Sequence, residues 1–180
     1  MRHVALVGFM AAGKSTIGRR LARELGRPFV DTDELVVAAR GSIADIFARE
    51  GATVFRSYEL EAVREALAGE PAVVALGGGA LTYAPTRELV GERARCVYLH
   101  GPAAVLLQRL RRAHTVRPVL GEGPTSASVR ELLQLREPLY RAAEITVRSA
   151  GRSRTLIARE IATLVRAAEQ VAPLASATSR

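Results

Sequence analysis

Residues 8–15 read Gly-Phe-Met-Ala-Ala-Gly-Lys-Ser, the pattern G-x-x-x-x-G-K-[ST], with the apolar run HVALVG (3–8) leading in and a helical pattern following. Such a segment leaves a strand, wraps its backbone N–H groups around phosphate oxygens and enters a helix whose N-terminus carries a positive partial charge. That geometry constrains the whole chain, because a strand that feeds a helix in this way belongs to a parallel α/β sheet. Lys14 is the only lysine of the 180 residues, and the other 25 of the 26 Lys+Arg residues are arginine. A compact ammonium on a thin stem can run along the β- and γ-phosphates where a wide planar guanidinium cannot. Met10, Ala11, Ala12, Gly13, Lys14, Ser15 and Thr16 are therefore the expected nucleotide contacts, with the Ser15 hydroxyl offered to Mg²⁺.

The rest of the chain keeps the same rhythm. Strand-like runs stand at 28–33 (PFVDTD), 72–79 (AVVALGGG), 95–100 (RCVYLH) and 144–149 (EITVRS), separated by apolar residues at helical spacing such as Ile17, Leu21 and Leu25. The expected fold is a five-stranded parallel sheet with helices on both faces, in one domain over 1–170, followed by a flexible tail at 171–180. Two segments break the alternation. Residues 34–70 show no strand signal and read as short helices, one starting at Ser42 with Asp45 three residues on, similar to a capping box. Residues 111–125 hold two prolines and two glycines without sustained periodicity, as a lid would.

Composition narrows the class further. A net charge of +8 and pI near 10.8 would suit nucleic-acid binding, but aromatics are only 4% and no basic run exceeds two arginines, so no nucleic-acid partner is expected. No long uncharged apolar stretch and no leader pattern appear, which predicts a cytoplasmic chain without a membrane partner. Cys96 is the single cysteine and reads as a core strand residue.

Phosphate binding does not name the acceptor. Asp31 and Asp33 close the second strand, and residues two apart on an extended chain point to one side, so both carboxylates are expected at the sheet's carboxyl edge. One would hold the metal's outer shell, Asp31 being the nearer, and Asp33 would take a substrate hydroxyl, unless it only caps the next helix. Gly77, Gly78 and Gly79 end the third strand and leave room for a polyol to reach the backbone. Three arginines stand in suggestive company: Arg56 after Phe55, with Glu59 one turn away to orient it; Arg117 before Pro118 in the lid; and Arg136 in LREPLYR, where Pro138 should interrupt or kink a helix.

Together GFMAAGKSTIGRRLA, DTD, SIADIFAREGATVFRSYE, LGGGAL, TVRPVL and REPLYR, in this order over residues 3–168, resemble the shikimate kinases. The resemblance implies a P-loop kinase of the nucleoside-monophosphate-kinase type, with an acceptor-binding helical segment at 33–61 and a mobile lid. It implies transfer of a phosphoryl group from Mg²⁺-ATP to the 3-hydroxyl of shikimate, on the route to aromatic amino acids. It further implies that Lys14, Asp33 and Arg117 are catalytic, that Ser15 and Asp31 serve the metal, and that Asp33, Arg56, Gly77, Gly78, Gly79 and Arg136 bind shikimate, its carboxylate clamped by the two arginines. Phe47 and Phe55 would wall the ring. At adenine the pattern leaves Arg152 or Arg154, and Arg109 or Arg111, with Arg152 and Arg109 taken as the nucleotide contacts. Family members are commonly monomers, and a monomer is expected. A gluconate kinase is the alternative.

Overall fold

A computed structural model describes residues 1–113, 118–120 and 123–175. Five strands are laid down in the chain: β1 (His3–Val7), β2 (Phe29–Asp31), β3 (Val73–Ala75), β4 (Ala94–His100) and β5 (Ile145–Arg148). All pairings are parallel and the order across the sheet is β2-β3-β1-β4-β5. Strand β1 is central and wholly buried, which explains its unbroken apolar sequence.

The helices are α1 (Lys14–Leu25), α2 (Thr32–Arg40), α3 (Ile43–Arg49), α4 (Gly51–Ala66), α5 (Ala84–Arg93), α6 (Ala103–Arg112), α7 (Ser126–Arg141) and α8 (Arg154–Ala175). The chain steps leftward once, from β1 to β2, and rightward afterwards. Right-handed crossovers then place α1 on one face and α4 to α7 on the other. Helix α8 packs on α1 and completes the first face, so both faces are covered as expected. Leu6, Ile17, Leu21, Val74, Leu99, Ile157 and Ile161 form the centre of one continuous core.

A second, smaller cluster lies apart from it: Val36, Ile46, Phe55 and Ala62, with Phe47 and Tyr58 packed alongside. Helices α2, α3 and α4 thus carry their own apolar nucleus beside the sheet.

Several boundaries differ from the sequence expectation. Strand β2 stops at Asp31 and α2 begins at Thr32, so Asp31 and Asp33 are not two positions on one extended chain. Asp31 rather than Asp33 is the N-cap of α2, its Oδ1 accepting the Asp33 backbone N–H at 3.1 Å. Ser42 precedes α3 but makes no side-chain cap bond. The 34–70 segment is not all short helices, since α4 runs 16 residues. Pro138 neither breaks nor ends α7: it sits one turn from the C-terminus, where only one intrahelical bond is lost. Helix α8 extends to Ala175, past the point where the tail was expected to begin. Cys96 lies on β4, half-buried against the core, and burial pushes its thiol up to about 11.

Among the described residues no helix is long and apolar enough to cross a membrane. Arg117 lies outside the described residues, as do parts of the expected lid.

Candidate active site

Open α/β sheets bind ligands at the carboxyl ends of their strands, and a cleft of about 1070 Å³ opens there. It is larger than a typical single-ligand pocket of roughly 300–1,000 Å³.

One end is the 8–15 loop. Gly8 has φ +139°, and a Cβ on it would stand 2.8 Å from the Leu99 carbonyl oxygen, so no other residue fits where β1 turns out of the sheet. Gly13, with φ +99°, opens α1. Lys14 folds over the loop, its Nζ donating to the carbonyls of Gly8 at 2.9 Å and Phe9 at 3.1 Å. Met10, Ala11, Ala12, Gly13, Lys14, Ser15 and Thr16 all line the cleft.

At the centre the Ser15 hydroxyl donates to Asp31 Oδ2 at 2.5 Å. Asp31 therefore divides its two oxygens, one capping α2 and the other meeting Ser15. A hydroxyl and a carboxylate side by side are hard oxygen donors of the kind Mg²⁺ accepts alongside phosphate oxygens and water. Among the described residues no cluster of three His, Cys, Asp or Glu side chains forms an all-protein cage.

The other end gathers Asp33, Phe47, Phe55, Arg56, Glu59, Gly78, Gly79 and Arg136 from α2, α3, α4, the turn after β3, and α7. Phe47 and Phe55 stack with ring centroids 4.6 Å apart, and the Arg56 guanidinium lies 5.3 Å from the Phe55 centroid. Arg56 also pairs with Glu59, which is 1% exposed. Burial raises the Glu59 pKa; the Arg56 charge, its hydrogen bond and Arg136 oppose that rise, while Asp33 adds to it. Arg136 is 5% exposed, and its Nη1 donates to the Gly78 carbonyl at 3.2 Å. Burial lowers its pKa, the reverse of what a bound carboxylate would do.

Two of the three glycines admit these groups. A side chain at Gly77 would run into the Glu59 carboxylate and Asp33, and one at Gly79 into the Arg56 guanidinium. Gly77 itself does not line the cleft; it backs the residues that do.

Sequence reasoning missed two members. Thr32, the middle of DTD, is wholly buried; its hydroxyl donates to the Ala75 carbonyl at 3.3 Å and accepts from the Gly77 N–H at 3.1 Å. Tyr140, two residues beyond Pro138, donates its hydroxyl to the Gly78 carbonyl. Glu59, expected only to orient Arg56, is a buried carboxylate of the cleft wall.

At the far end of the phosphate loop, Arg109 lines the cleft and donates to the carbonyls of Ala11, Ala12 and Ser149 at 3.2, 3.4 and 3.0 Å. Of the alternatives left open there, Arg154 lines the cleft. Arg152 is turned to an ion pair with Glu160 one helical stretch away, and among the described residues of the wall it is replaced by Arg154.

Known proteins share the family and the fold of this chain. The sequence model of the shikimate kinase family matches residues 10–166. A shikimate kinase of Nitrobacter winogradskyi is 46% identical over 149 residues, covering 82% of this chain and 69% of the relative. The structure of a shikimate kinase from Acinetobacter baumannii in complex with shikimate superposes with a TM-score of 0.87 at 39% identity, over 93% of this chain and 94% of that one. A gluconokinase from Sinorhizobium meliloti, at 22% identity and TM-score 0.60 over 94% and 95% of the two chains, shares the fold alone.

Proposed function

The chain belongs to the shikimate kinase family, and on that footing we propose that it transfers the γ-phosphoryl group of ATP to the 3-hydroxyl of shikimate, giving shikimate 3-phosphate and ADP. The observation that carries this reading is the meeting, in one cleft, of a phosphate loop with two guanidinium groups and a carboxylate on separate elements. A polyhydroxylated acid needs that combination. Arg56 and Arg136 take its carboxylate, Asp33 its hydroxyls, and Phe47 with Phe55 the apolar face of its ring.

Phosphoryl transfer demands positioning and charge stabilisation more than covalent help. Lys14, tethered over the loop, is in reach of the β- and γ-phosphates, and the N-terminus of α1 adds its partial charge. Asp33 is the candidate to accept the proton of the attacking hydroxyl. Ser15 and Asp31 would hold Mg²⁺, which supplies neutralisation of phosphate charge when bound. Arg109 and Arg154 support the nucleotide's far end. Arg117 keeps its proposed role at the transferred phosphoryl group on its sequence position alone, as does the closing of a lid around 111–125.

Coupled ADP release from Mg²⁺-ATP tests the proposal, with shikimate, with gluconate and with no acceptor. Stimulation by shikimate alone is expected; stimulation by gluconate alone would overturn it.

A further inference from the structure

The chemistry proposed above uses Arg136 and the Gly78 backbone but assigns no task to a phenol. Tyr140 nevertheless places one directly behind the acceptor end, against the Gly78 carbonyl. It lies one turn after Arg136 on α7, is 2% exposed, and its hydroxyl donates to the same Gly78 carbonyl that receives Arg136 Nη1. Gly78 also lies close to the phosphate loop, since a Cβ there would stand 3.1 Å from the Met10 backbone nitrogen. The Gly78 peptide thus lies against both the acceptor arginine and the phosphate loop.

What holds the phenol is equally specific. The Tyr140 ring packs on Tyr98 with centroids 5.4 Å apart and planes at 32°, and Tyr98 is 1% exposed on β4. In the sheet Tyr98 is the register partner of Val7, the residue from which β1 passes into the phosphate loop. Tyr140 therefore spans from the strand pair that carries the phosphate loop to the peptide that faces the acceptor. For packing alone a phenylalanine would serve in this apolar stack, and the hydroxyl is the atom left to explain. Burial holds the phenol up at about 12, so it remains a donor throughout the working pH range.

We propose that Tyr140 is a positioning residue for phosphoryl transfer: by anchoring the Gly78 carbonyl jointly with Arg136, its hydroxyl sets the spacing between the bound acceptor and the phosphate loop. Near-attack geometry is sensitive to shifts of about 1 Å, which can cost on the order of 10²-fold in rate. Without the hydroxyl, the Gly78 peptide keeps one donor and is free to drift on that scale. The acceptor hydroxyl then falls short of the γ-phosphorus, and water competes for it.

The inference rests on the functional reading above, and Tyr140→Phe tests it apart from that reading. Purified wild-type and variant proteins are compared for melting temperature, for KM of ATP and shikimate, for kcat, and for the ratio of ADP released to shikimate phosphate formed. The expected result is a melting temperature and ATP KM close to wild type, kcat lower by about tenfold or more, a raised shikimate KM, and an ADP to product ratio rising above one. Tyr83→Phe, a hydroxyl deletion outside the cleft wall, should leave all of these unchanged. Wild-type kcat, shikimate KM and coupling in Tyr140→Phe would overturn the inference. So would a drop in stability with coupling still at one, because that pattern belongs to a merely structural hydroxyl. A wild-type protein inactive on shikimate would defeat the functional reading and this inference together.

Discussion

Arg136 shows how a single side chain can be both a structural cost and a binding device. Its guanidinium is buried, and burial opposes its charge. One neutral carbonyl acceptor and a neighbouring phenol offset that only in part, so an incoming carboxylate gains a charge-assisted bond to a cation already stripped of water. Removing one member of such a buried pair costs about 2–5 kcal/mol. Arg136→Ala should therefore raise the KM or Kd for shikimate by roughly 10²-fold or more. The ATP KM should stay within about twofold, since Arg136 belongs to the acceptor end and not to the phosphate loop; isothermal titration with each substrate separately checks both. Equal losses for the two substrates would mean that the residue supports the fold and not the acceptor.

At the scale of elements, the acceptor end is built by joining pieces that are far apart in the chain. Thr32 is the joint between the start of α2 and the turn after β3, through the Ala75 carbonyl and the Gly77 N–H. Thr32→Val keeps the shape and deletes the hydroxyl, leaving the buried Gly77 N–H without its acceptor, at a cost of about 1–3 kcal/mol. The expected outcome is a lower melting temperature together with a several-fold rise in shikimate KM, because Asp33 and Gly78 flank the lost joint; a thermal melt and steady-state kinetics on one preparation measure both. The same joint explains what could be read from the sequence. Gly8 to Ser15 were legible because phosphate binding imposes a local, contiguous pattern, and so was a parallel sheet covered on both faces, because strands alternate with helices; the order β2-β3-β1-β4-β5 was not, since it depends on which distant strands pair. Thr32, Tyr140 and the buried state of Glu59 were not legible, since each owes its role to a partner 45, 62 or 18 residues away in sequence. That α7 runs uninterrupted through Pro138 was not legible for a related reason: α7 is held by Leu133, Arg136 and Tyr140 packing inward, and tertiary burial outweighs one lost backbone bond. The long α4 was concealed because its inner face is shared between two clusters.

Across the whole molecule the two edges of the sheet divide the work. The carboxyl edge holds the cleft, and the opposite edge holds groups that stabilise without reaching it. His3, at the start of β1, is buried with its Nδ1 accepting the Ala72 N–H at 3.1 Å, which requires an unprotonated ring nitrogen. Burial, and then the charges of Arg27 and Arg93, lower its pKa. The unfolded chain therefore takes up the proton more readily than the folded one, so this contribution is complete above about pH 6.5, the value of a free imidazole, and is lost as pH falls through it toward the lower folded value. Urea melts at pH 7.5 and 5.5 should show a loss of stability that His3→Gln reduces.

The arginine surplus is spent largely on that same edge and on the helical faces. Arg27, between α1 and β2, donates Nη2 to both oxygens of Glu169 on α8 at 2.7 and 2.8 Å, with only 8% and 17% of the two side chains exposed. Its Nη1 also donates to the Arg2 carbonyl at 3.3 Å. The pair closes α8 over α1 at the end of the sheet remote from the phosphate loop, and the planar guanidinium holds the carboxylate with one nitrogen while the other holds the Arg2 carbonyl. Arg19 and Glu34 form an ion pair too, but with 49% and 60% of their side chains exposed, where solvent reduces such pairs to about 0–1 kcal/mol. Hydrogen bonds to charged groups contribute about 1.5–3 kcal/mol when sheltered, and a chain of this length melts about 2–4 °C lower per kcal/mol lost. Arg27→Met should thus lower the melting temperature by roughly 3–12 °C with kcat and both KM values unchanged. Glu34→Gln, breaking the exposed pair, should shift the melt by no more than about 2–4 °C. If instead Arg27→Met altered catalysis without altering the melt, the separation between a chemical edge and a stabilising edge would fail, and the surplus of positive charge would need a role in binding its anionic substrates.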